Sequence, residues 1–224
     1  MVKRLDRDVL VMALIISTAL FLSGVALGWF LNETKISMLE QSLVNTKRDI
    51  ENFQLQILLL DNLGKNITCP FLEEQIKNLD KKAYELGSKL ESASKENTGK
   101  EDYMRVKSEY SRLLVTYWSL AGKMKKLCGH ENFVSVLYFF SKNCVTCDDQ
   151  SFVLTHLKNK LNEKFLVFTL DADFDEPVIN ILKEYYGIEK YPTIILGGNK
   201  LEGLQSRNDI LNIACRYIES EICP

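Results

Sequence analysis

The hydrophobic pattern of the chain begins with one long apolar run. Residues 9–31 carry no charged side chain, and a helix of about this length spans roughly 33 Å, enough for the hydrocarbon core of a bilayer. Before the run stand Lys3, Arg4 and Arg7, and positive charge on one flank favours a cytoplasmic position for that flank. The pattern predicts a cytoplasmic N-terminus at 1–8, a single-pass transmembrane signal anchor at 9–31 and an extracytoplasmic remainder.

A cleaved signal peptide is the alternative interpretation of this run. Gly24, Ala26 and Gly28 are small residues, as a signal-peptide cleavage site requires. The apolar core of a signal peptide usually has about 7–15 residues, however, and this run is longer. Because the helical pattern also continues directly after it, the sequence favours an uncleaved anchor in the cell membrane.

Between residues 32 and 129, apolar residues return every three or four positions, which is the spacing of amphipathic helices. They form three stripes, which run from Ile36 to Leu60, from Leu72 to Leu90 and from Tyr103 to Leu127. Three stripes with short connections are typical of an antiparallel three-helix bundle or coiled coil. The sequence predicts an all-α coiled-coil stalk at 32–129, and heptads of this kind also allow a homo-oligomer through the same seam.

The connections of the predicted stalk place two cysteines together. Pro70 is predicted to open the second helix in its first turn, and the polar segment 92–100 is predicted to be a loop. The first connection and the end of the third helix then both lie far from the membrane, and they hold Cys69 and Cys128. We therefore expect a Cys69–Cys128 disulfide, which closes a long loop and restricts the unfolded chain.

From residue 130 onward, strand-like and helix-like segments alternate. In chain order they are a strand at 133–140, a helix at 145–162, a strand at 164–170, a helix at 176–186, strands at 193–196 and 200–202, and a helix at 207–219. In the first of these helices the pattern places Phe152 and His156 among the inward-facing residues. This order predicts a small α/β domain at 130–224, with helices packed on a sheet.

Cys144 and Cys147 stand where the first of these strands ends and a helix begins. The unpaired N–H groups of a first helical turn carry partial positive charge, which favours a thiolate. A thiolate can attack a disulfide, and a second thiol three residues away can resolve the mixed disulfide that results. The other interpretations of a C-x-x-C pair are a structural disulfide and half of a zinc site, with Cys128 and His130 as further ligands.

A second motif accompanies the cysteine pair. The segment from Tyr185 to Thr193 reads Tyr-Tyr-Gly-Ile-Glu-Lys-Tyr-Pro-Thr, and it is similar to the Tyr-Gly-Val/Ile…Pro-Thr stretch of thioredoxins and protein disulfide isomerases. Together with Cys144 and Cys147, it makes about residues 131–224 resemble the thioredoxin-fold family. The resemblance rests on two motifs in the right order, with strands and helices between them.

The resemblance implies a role for five residues. Cys144 would be the exposed attacking thiol and Cys147 the resolving thiol. Pro192 would be cis and would face the two cysteines, with Tyr191 and Thr193 beside it at the substrate-binding surface. A cis proline turns the chain sharply and leaves neighbouring backbone groups to pair with a substrate strand.

The chain departs from the family pattern around the active site. Asn143 replaces the aromatic residue before the first cysteine, and Tyr138 replaces the buried carboxylate that accepts a proton in thioredoxins and isomerases. The strand that usually precedes the central one is missing, and we expect the stalk to cover the exposed sheet edge. Asp148 and Asp149 repel a nearby thiolate, so we predict a higher Cys144 pKa than in strongly oxidising relatives and a more reducing or isomerase-like disulfide.

Composition limits the remaining chemistry. The 224 residues carry a net charge of −2 and no long basic stretch, so nucleic acid is not an expected partner. Two histidines leave little scope for histidine catalysis or a multi-histidine metal centre. Cys215 and Cys223 flank the end of the last helix and are candidates for a second structural disulfide, with a buried free Cys215 as the alternative. The four cysteines outside the C-x-x-C motif allow three pairings.

These features predict a membrane-tethered thiol–disulfide oxidoreductase, a reductase, isomerase or oxidase of extracytoplasmic protein thiols. The expected partners are protein thiol or disulfide clients, an unidentified redox partner, and the lipid bilayer at 9–31, without a cofactor or a metal. A glycosylation sequon at Asn66 agrees with an outward-facing chain. The alternative function is a non-catalytic thioredoxin-like binding or scaffold module, which the helical stalk holds at a distance from the membrane.

Overall fold

The computed structural model describes most of the chain, in four stretches: 11–26, 65–95, 99–129 and 132–223. The chain divides into two units, Met1–Arg48 and Asp49–Pro224. In the first unit, residues 11–26 form helix α1, and its apolar side chains are exposed. No helix in these four stretches is long and apolar enough to cross a membrane.

Two parts of the sequence prediction fall outside the described residues. These are the first stalk helix, from Ile36 to Leu60, and the ends of the predicted anchor at 9–31. His130, one of the two histidines, also lies outside them.

The first described elements of the second unit are two long antiparallel helices, α2 (Lys65–Lys95) and α3 (Lys100–Cys128). A disulfide joins Cys69 near the start of α2 to Cys128 at the end of α3, with a Cα–Cα distance of 5.7 Å. Both helices bury apolar residues at intervals of seven, as in a coiled-coil seam: Leu72, Leu79 and Leu86 in α2, and Val106, Leu113 and Leu120 in α3. α3 ends because Gly129 follows it in the left-handed conformation, with a φ of 66°.

The start of α2 differs from the prediction. The sequence places it at Pro70, but the helix begins at Lys65 and contains Pro70. Proline lacks the N–H that would donate to the carbonyl four residues earlier, here that of Asn66. Because Asn66 lies in the first turn, the loss is one hydrogen bond near the helix end, and the Cys69 disulfide holds this turn to α3. α2 also extends into the polar segment 92–100, which the sequence predicts as a loop.

A four-stranded sheet follows the helical pair. Its strands are β1 (Val134–Phe140), β2 (Phe165–Asp171), β3 (Thr193–Leu196) and β4 (Asn199–Glu202), in the order β2-β1-β3-β4. β1 is parallel to β2 and antiparallel to β3, and β3 is antiparallel to β4. The helices of this part are α4 (Cys147–Leu161), α5 (Pro177–Tyr186) and α6 (Arg207–Ala214), with a 3-10 turn at Asn162–Lys164. α4 makes the crossover that a parallel pair of strands requires.

The last helix is shorter than the predicted helix at 207–219. α6 ends at Ala214, and the next residue, Cys215, forms a disulfide with Cys223 at a Cα–Cα distance of 5.5 Å. Residues eight apart in a continuous helix are about 12 Å apart. The disulfide therefore requires the chain to leave the helix and turn back.

Different helices cover the two faces of the sheet. Val134, Val136 and Tyr138 of β1 belong to the core formed with α4 and α6. Side chains alternate along a strand, so Leu137 and its β2 neighbour Phe168 lie on the opposite face. There the Phe168 ring packs edge-on against Tyr117 of α3, with ring centroids 4.9 Å apart. α3 therefore packs against both α2 and this second face of the sheet.

This packing corrects the expected position of the stalk. The third stalk helix was expected to cover a sheet edge, whereas α3 lies against a sheet face. The physical reason is that a sheet edge offers unpaired N–H and C=O groups, and a helix has already used its own backbone groups internally. Its apolar side chains instead match the apolar face that carries Phe168.

The inward face of α4 also differs from the prediction. The buried residues of α4 follow a regular three-and-four spacing: Cys147, Gln150, Leu154, Leu157 and Leu161. Phe152 and His156, which the pattern placed inward, are exposed. The rotation of the helix follows from its first turn, because Cys147 and Gln150 are both buried there.

Candidate redox site at the start of α4

The C-x-x-C motif occupies the turn between β1 and α4. After β1 ends at Phe140, the N–H of Cys144 donates to the carbonyl of Ser141 at 3.2 Å. α4 then begins at Cys147. Cys144 and Cys147 form a disulfide, with a Cα–Cα distance of 5.5 Å. The bond therefore joins the loop after β1 to the first residue of the helix.

The two cysteines differ in exposure. Cys147 is 4% exposed, whereas Cys144 is half-buried and its neighbour Val145 is 94% exposed. A client sulfur can approach Cys144 more easily than Cys147, which is the asymmetry that an attacking and a resolving thiol require. The first turn of α4 favours a thiolate through its N–H groups, and its acidic residues, Asp148 and Asp149, oppose that effect.

Tyr138 holds the backbone of the buried cysteine. Its hydroxyl donates a hydrogen bond to the carbonyl of Cys147 at 2.6 Å, and its side chain is 2% exposed. Burial raises the pKa of Tyr138, and the negative charge of Asp148 raises it further. The phenol therefore stays protonated at neutral pH and acts as a hydrogen-bond donor. In the family that the sequence resembles, a carboxylate at this position accepts a proton. Tyr138 does not have that role.

Pro192 lies at the same end of the sheet as the cysteine motif. The Tyr191–Pro192 peptide bond is cis. β3 starts immediately afterwards, and its first residue, Thr193, pairs with Phe139 near the end of β1. The loop after β1 and the loop before β3 therefore leave the sheet side by side. The carbonyl of Pro192 accepts a hydrogen bond from the N–H of Gly203, the residue after β4, at 2.8 Å.

Tyr191 and Thr193 differ in what they offer a substrate. Tyr191 is half-buried, and burial, followed by the negative charge of Asp173, raises its pKa. Thr193 is fully buried, and its hydroxyl donates to the carbonyl of Lys190 at 2.6 Å. Tyr191 thus belongs to the accessible surface of the site, whereas the Thr193 side chain supports the proline loop from below.

Asp173 is a residue of the site that sequence reasoning did not single out. Its carboxylate accepts hydrogen bonds from the N–H of Lys142 at 2.7 Å and from the hydroxyl of Ser141 at 3.0 Å. The Lys142 bond is the main cause of a lowered Asp173 pKa, with a further contribution from Ser141. Its position directly after β2 could have identified it from the sequence. Neighbouring parallel strands finish at the same end of the sheet, so the residues that follow β2 lie near the loop after β1.

Gln150 is a second residue that the sequence analysis missed. It is fully buried one turn after Cys147, and its side-chain carbonyl accepts a hydrogen bond from the N–H of Gln205 at 2.7 Å. This bond ties the first turn of α4 to the loop before α6. Its amide nitrogen has no hydrogen-bond partner among the described residues. Nothing in the linear pattern distinguishes a buried glutamine from a solvated one.

The other cysteines are paired away from this site. All six cysteines lie in the described part of the chain, where they form three disulfides and none is free. Cys128 is bonded to Cys69, so it does not stand beside Cys144 and Cys147 as a zinc ligand. No group of three His, Cys, Asp or Glu residues that could hold a metal occurs among the residues described.

Comparison with known proteins gives partial structural likenesses. No family model matches the chain, and no curated protein matches it. A solved structure of a malarial protein is 27% identical, with 39% of this chain and all of that one covered, at a TM-score of 0.34. Thioredoxin-2 of the malaria parasite is 28% identical, with coverages of 35% and 78% and a TM-score of 0.32. The thioredoxin pre-protein of Schistosoma mansoni is 22% identical, with coverages of 43% and 90% and a TM-score of 0.32.

The architecture follows from the chain's own geometry. A mixed sheet in the order β2-β1-β3-β4 is flanked by helices on both faces. A cysteine pair stands at the start of α4, and a cis proline precedes β3 at the same end of the sheet. The C-terminal part of the chain, with a helical part before it, fits a thioredoxin-like fold.

Proposed function

We propose that this protein is a membrane-tethered thiol–disulfide oxidoreductase that acts on protein thiols outside the cytoplasm. The observation that carries the proposal is the disulfide between an accessible Cys144 and a buried Cys147 at a helix start. The fold and the paired cysteines support redox chemistry of this class. The tether, the compartment and the nature of the clients are our extension of it.

The proposed reaction is thiol–disulfide exchange in two steps. In the reducing direction, the Cys144 thiolate attacks one sulfur of a client disulfide, the client S–S bond breaks, and one client thiolate leaves. The Cys147 thiolate then attacks the Cys144 sulfur of the mixed disulfide and releases the second client thiolate. Two electrons have moved from the protein dithiol to the client, and a dithiol redox partner must return them. Oxidation of a client is the same sequence in reverse.

The charges around Cys144 favour a reductase or an isomerase over a strong oxidant. A strong oxidant stabilises the attacking thiolate and so makes its disulfide easy to reduce. Asp148 and Asp149 work against such stabilisation, and the protonated Tyr138 bonds to a carbonyl and not to a sulfur. We therefore propose a disulfide that is more stable toward reduction than that of a strongly oxidising enzyme.

The membrane tether rests on the uncharged run at 9–31 and on the basic residues before it. The disulfides Cys69–Cys128 and Cys215–Cys223 agree with an oxidising compartment, where such bonds persist. In this arrangement the helical part is a spacer, and two copies would pair through the heptad seam of the stalk. Resistance of the full chain to alkaline extraction from membranes supports the tether, and release into the soluble fraction contradicts it.

Trapping of mixed disulfides tests the function directly. In Cys147→Ala the resolving thiol is missing, so clients attacked by Cys144 should remain covalently attached. These adducts should disappear on reduction and should not form in the control variant Cys144→Ala. Partners that bind equally to wild type and to both variants without a covalent bond would instead indicate a binding or scaffold module.

A further inference from the structure

Helix α3 contacts the turn that follows β2 through a buried ion pair. The ammonium of Lys107 donates to a carboxylate oxygen of Asp171, and the two side chains are 11% and 5% exposed. The same ammonium lies 4.9 Å from the centre of the Phe174 ring, a distance at which a cation is attracted to an aromatic face. A residue of the helical pair thus supplies the counter-charge for the last residue of β2.

A second buried acid fixes the far end of the same turn. Glu176 is 3% exposed and precedes α5. It accepts hydrogen bonds from the hydroxyl of Ser108 at 2.6 Å and from the guanidinium of Arg112 at 2.9 Å. α3 therefore holds both ends of the turn 171–176, with charged groups that are costly to leave unpaired.

The other side of this turn holds the loop that carries Cys144. The second oxygen of the Asp171 carboxylate accepts the N–H of Asp173 at 2.9 Å. Asp173 in turn accepts the N–H of Lys142 and the hydroxyl of Ser141. The carbonyl of Ser141 accepts the N–H of Cys144 at 3.2 Å. A continuous series of polar contacts leads from α3 to the backbone of the attacking cysteine.

We propose that Lys107 is a positioning residue of the redox site and that, through Asp171 and Asp173, it sets the equilibrium between the Cys144–Cys147 disulfide and its dithiol. The proposal rests on the proposed function, because only a redox-active pair has such an equilibrium to set. In this proposal the helical pair influences the redox equilibrium and also serves as a spacer. Lys107 stands 64 residues before Asp171 in the chain, in a segment that linear reading assigns to the stalk.

The charges determine the direction in which each substitution should shift the disulfide–dithiol equilibrium. Without Lys107, the negative charge of Asp171 is uncompensated on the side of the turn that faces the Cys144 loop, and a thiolate there becomes less stable. Without the charge of Asp171, Lys107 is uncompensated and a thiolate becomes more stable. A less stable thiolate favours the disulfide, and a more stable one favours the dithiol. Asp173, Lys142, Lys183, Asp148 and Asp149 are the other charges around this loop and remain unchanged in these variants.

Two single substitutions therefore have opposite expected effects. Lys107→Met keeps the aliphatic stem and should shift the equilibrium with a glutathione buffer toward the protein disulfide by about threefold. Asp171→Asn keeps an acceptor for the N–H of Asp173 and should shift it toward the dithiol by about threefold. Lys107→Arg should restore the wild-type equilibrium. The double variant Lys107→Met, Asp171→Asn should lie between the single variants.

A merely structural ion pair predicts a different result. Both single variants would then lower the unfolding midpoint, while the glutathione equilibrium would stay unchanged or move in the same direction for both. An unchanged glutathione equilibrium, or a shift in the same direction for both variants, overturns the proposal. Arg105→Gln is the matched control, because it removes one positive charge from the exposed face of α3, where Arg105 pairs with Asp102.

A further variant covers the case in which the buried substitutions do not fold. Asp173 is exposed, so Asp173→Ala is expected to fold, and it removes the acceptor shared by Ser141 and Lys142. An unchanged glutathione equilibrium in this variant would overturn the link between the turn and the Cys144 loop. A wild-type chain that does not equilibrate with glutathione at all contradicts the proposed function itself, which separates the two failures.

Discussion

The hydroxyl of Tyr138 donates a hydrogen bond to the backbone carbonyl of Cys147 over 2.6 Å, inside the core between the sheet and α4. The bond links the middle of β1 to the first residue of the helix that carries the buried cysteine. It fixes the backbone carbonyl of Cys147 and places at this position a phenol, whose pKa is raised, and not a carboxylate that could accept a proton. In the proposed exchange, the proton of Cys147 therefore leaves by another route.

Removing this hydroxyl tests whether the bond matters for the second step of exchange. Tyr138→Phe should lower the free energy of unfolding by about 1 kcal/mol, the usual net value of one hydrogen bond. It should also slow the resolution of a mixed disulfide at Cys144, because Cys147 is less well positioned. Urea denaturation and stopped-flow measurement of mixed-disulfide decay give the two quantities.

Tyr217→Phe is the matched control for this substitution. The hydroxyl of Tyr217 donates to the carbonyl of Gly197 at 2.7 Å, in the turn after β3 and at the opposite end of that strand from Pro192. A similar loss of stability with no change in resolution rate is expected. Equal kinetic effects of the two substitutions would show that Tyr138 has no specific role in the exchange.

The two outer disulfides should contribute unequally to stability. Cys69–Cys128 closes a sequence separation of 59 residues and Cys215–Cys223 one of 8. The chain-entropy model gives about 4 kcal/mol for the longer loop and about 2.5 kcal/mol for the shorter one. Paired Cys→Ser variants, unfolded by urea with Cys144 and Cys147 kept oxidised, should show this order. A larger loss for the Cys215–Cys223 pair would contradict the loop-length argument.

The acidic residues of α4 should oppose the Cys144 thiolate. Asp148→Asn removes one negative charge from the first turn of α4, so the thiolate should form at a lower pH, by a few tenths of a pH unit for a solvent-exposed charge. Thiolate absorbance near 240 nm, recorded against pH on the reduced protein, measures this midpoint. A midpoint that stays the same or rises would contradict a repulsive role for Asp148.

Glu163→Gln is the control for this charge effect. Glu163 lies in the 3-10 turn that follows α4, about 20 Å along the helix from its first turn. At this distance salt screens the charge almost completely. The substitution makes the same change in net charge as Asp148→Asn, and we expect no shift of the thiolate midpoint.

Asp173 predicts a pH dependence of stability on the acid side. Hydrogen bonds from Lys142 and Ser141 lower its pKa in the folded protein, so the unfolded chain binds a proton at a higher pH than the folded one. The stabilisation is present above about pH 4, the ordinary range of an aspartate, and is lost as pH falls through the lower folded value. Because the side chain is exposed, the contribution is small.

Asp173→Ala checks this assignment. In urea unfolding at pH 6 and pH 3, the difference in stability between wild type and variant should be larger at pH 6 and should shrink at pH 3. Asp175→Ala, which removes a neighbouring exposed carboxylate that bonds to Asn180, is the control. A constant difference for Asp173→Ala across this range would indicate that its carboxylate is not stabilised in the folded state.

The sequence by itself determined the features that depend on local spacing. The C-x-x-C pair between a strand and a helix, the alternation of elements after residue 130 and the heptad spacing of α2 and α3 follow from side-chain periodicity, which neighbouring residues impose. The structure pairs Cys69 with Cys128, the pair expected from an antiparallel arrangement of helices. It also has a cis bond before Pro192, as the resemblance implied.

Only the tertiary structure decided which distant groups share an environment. The partners Lys107 and Asp171 are 64 residues apart, and Gln150 and Gln205 are 55 apart, so no local period connects them. The sequence placed the last stalk helix at a sheet edge, but its apolar side chains pack on a sheet face, since burial of Tyr117 against Phe168 requires that face. Burial and charge pairing are properties of the packed chain, and they connect Lys107, through Asp171 and Asp173, to the loop that carries Cys144.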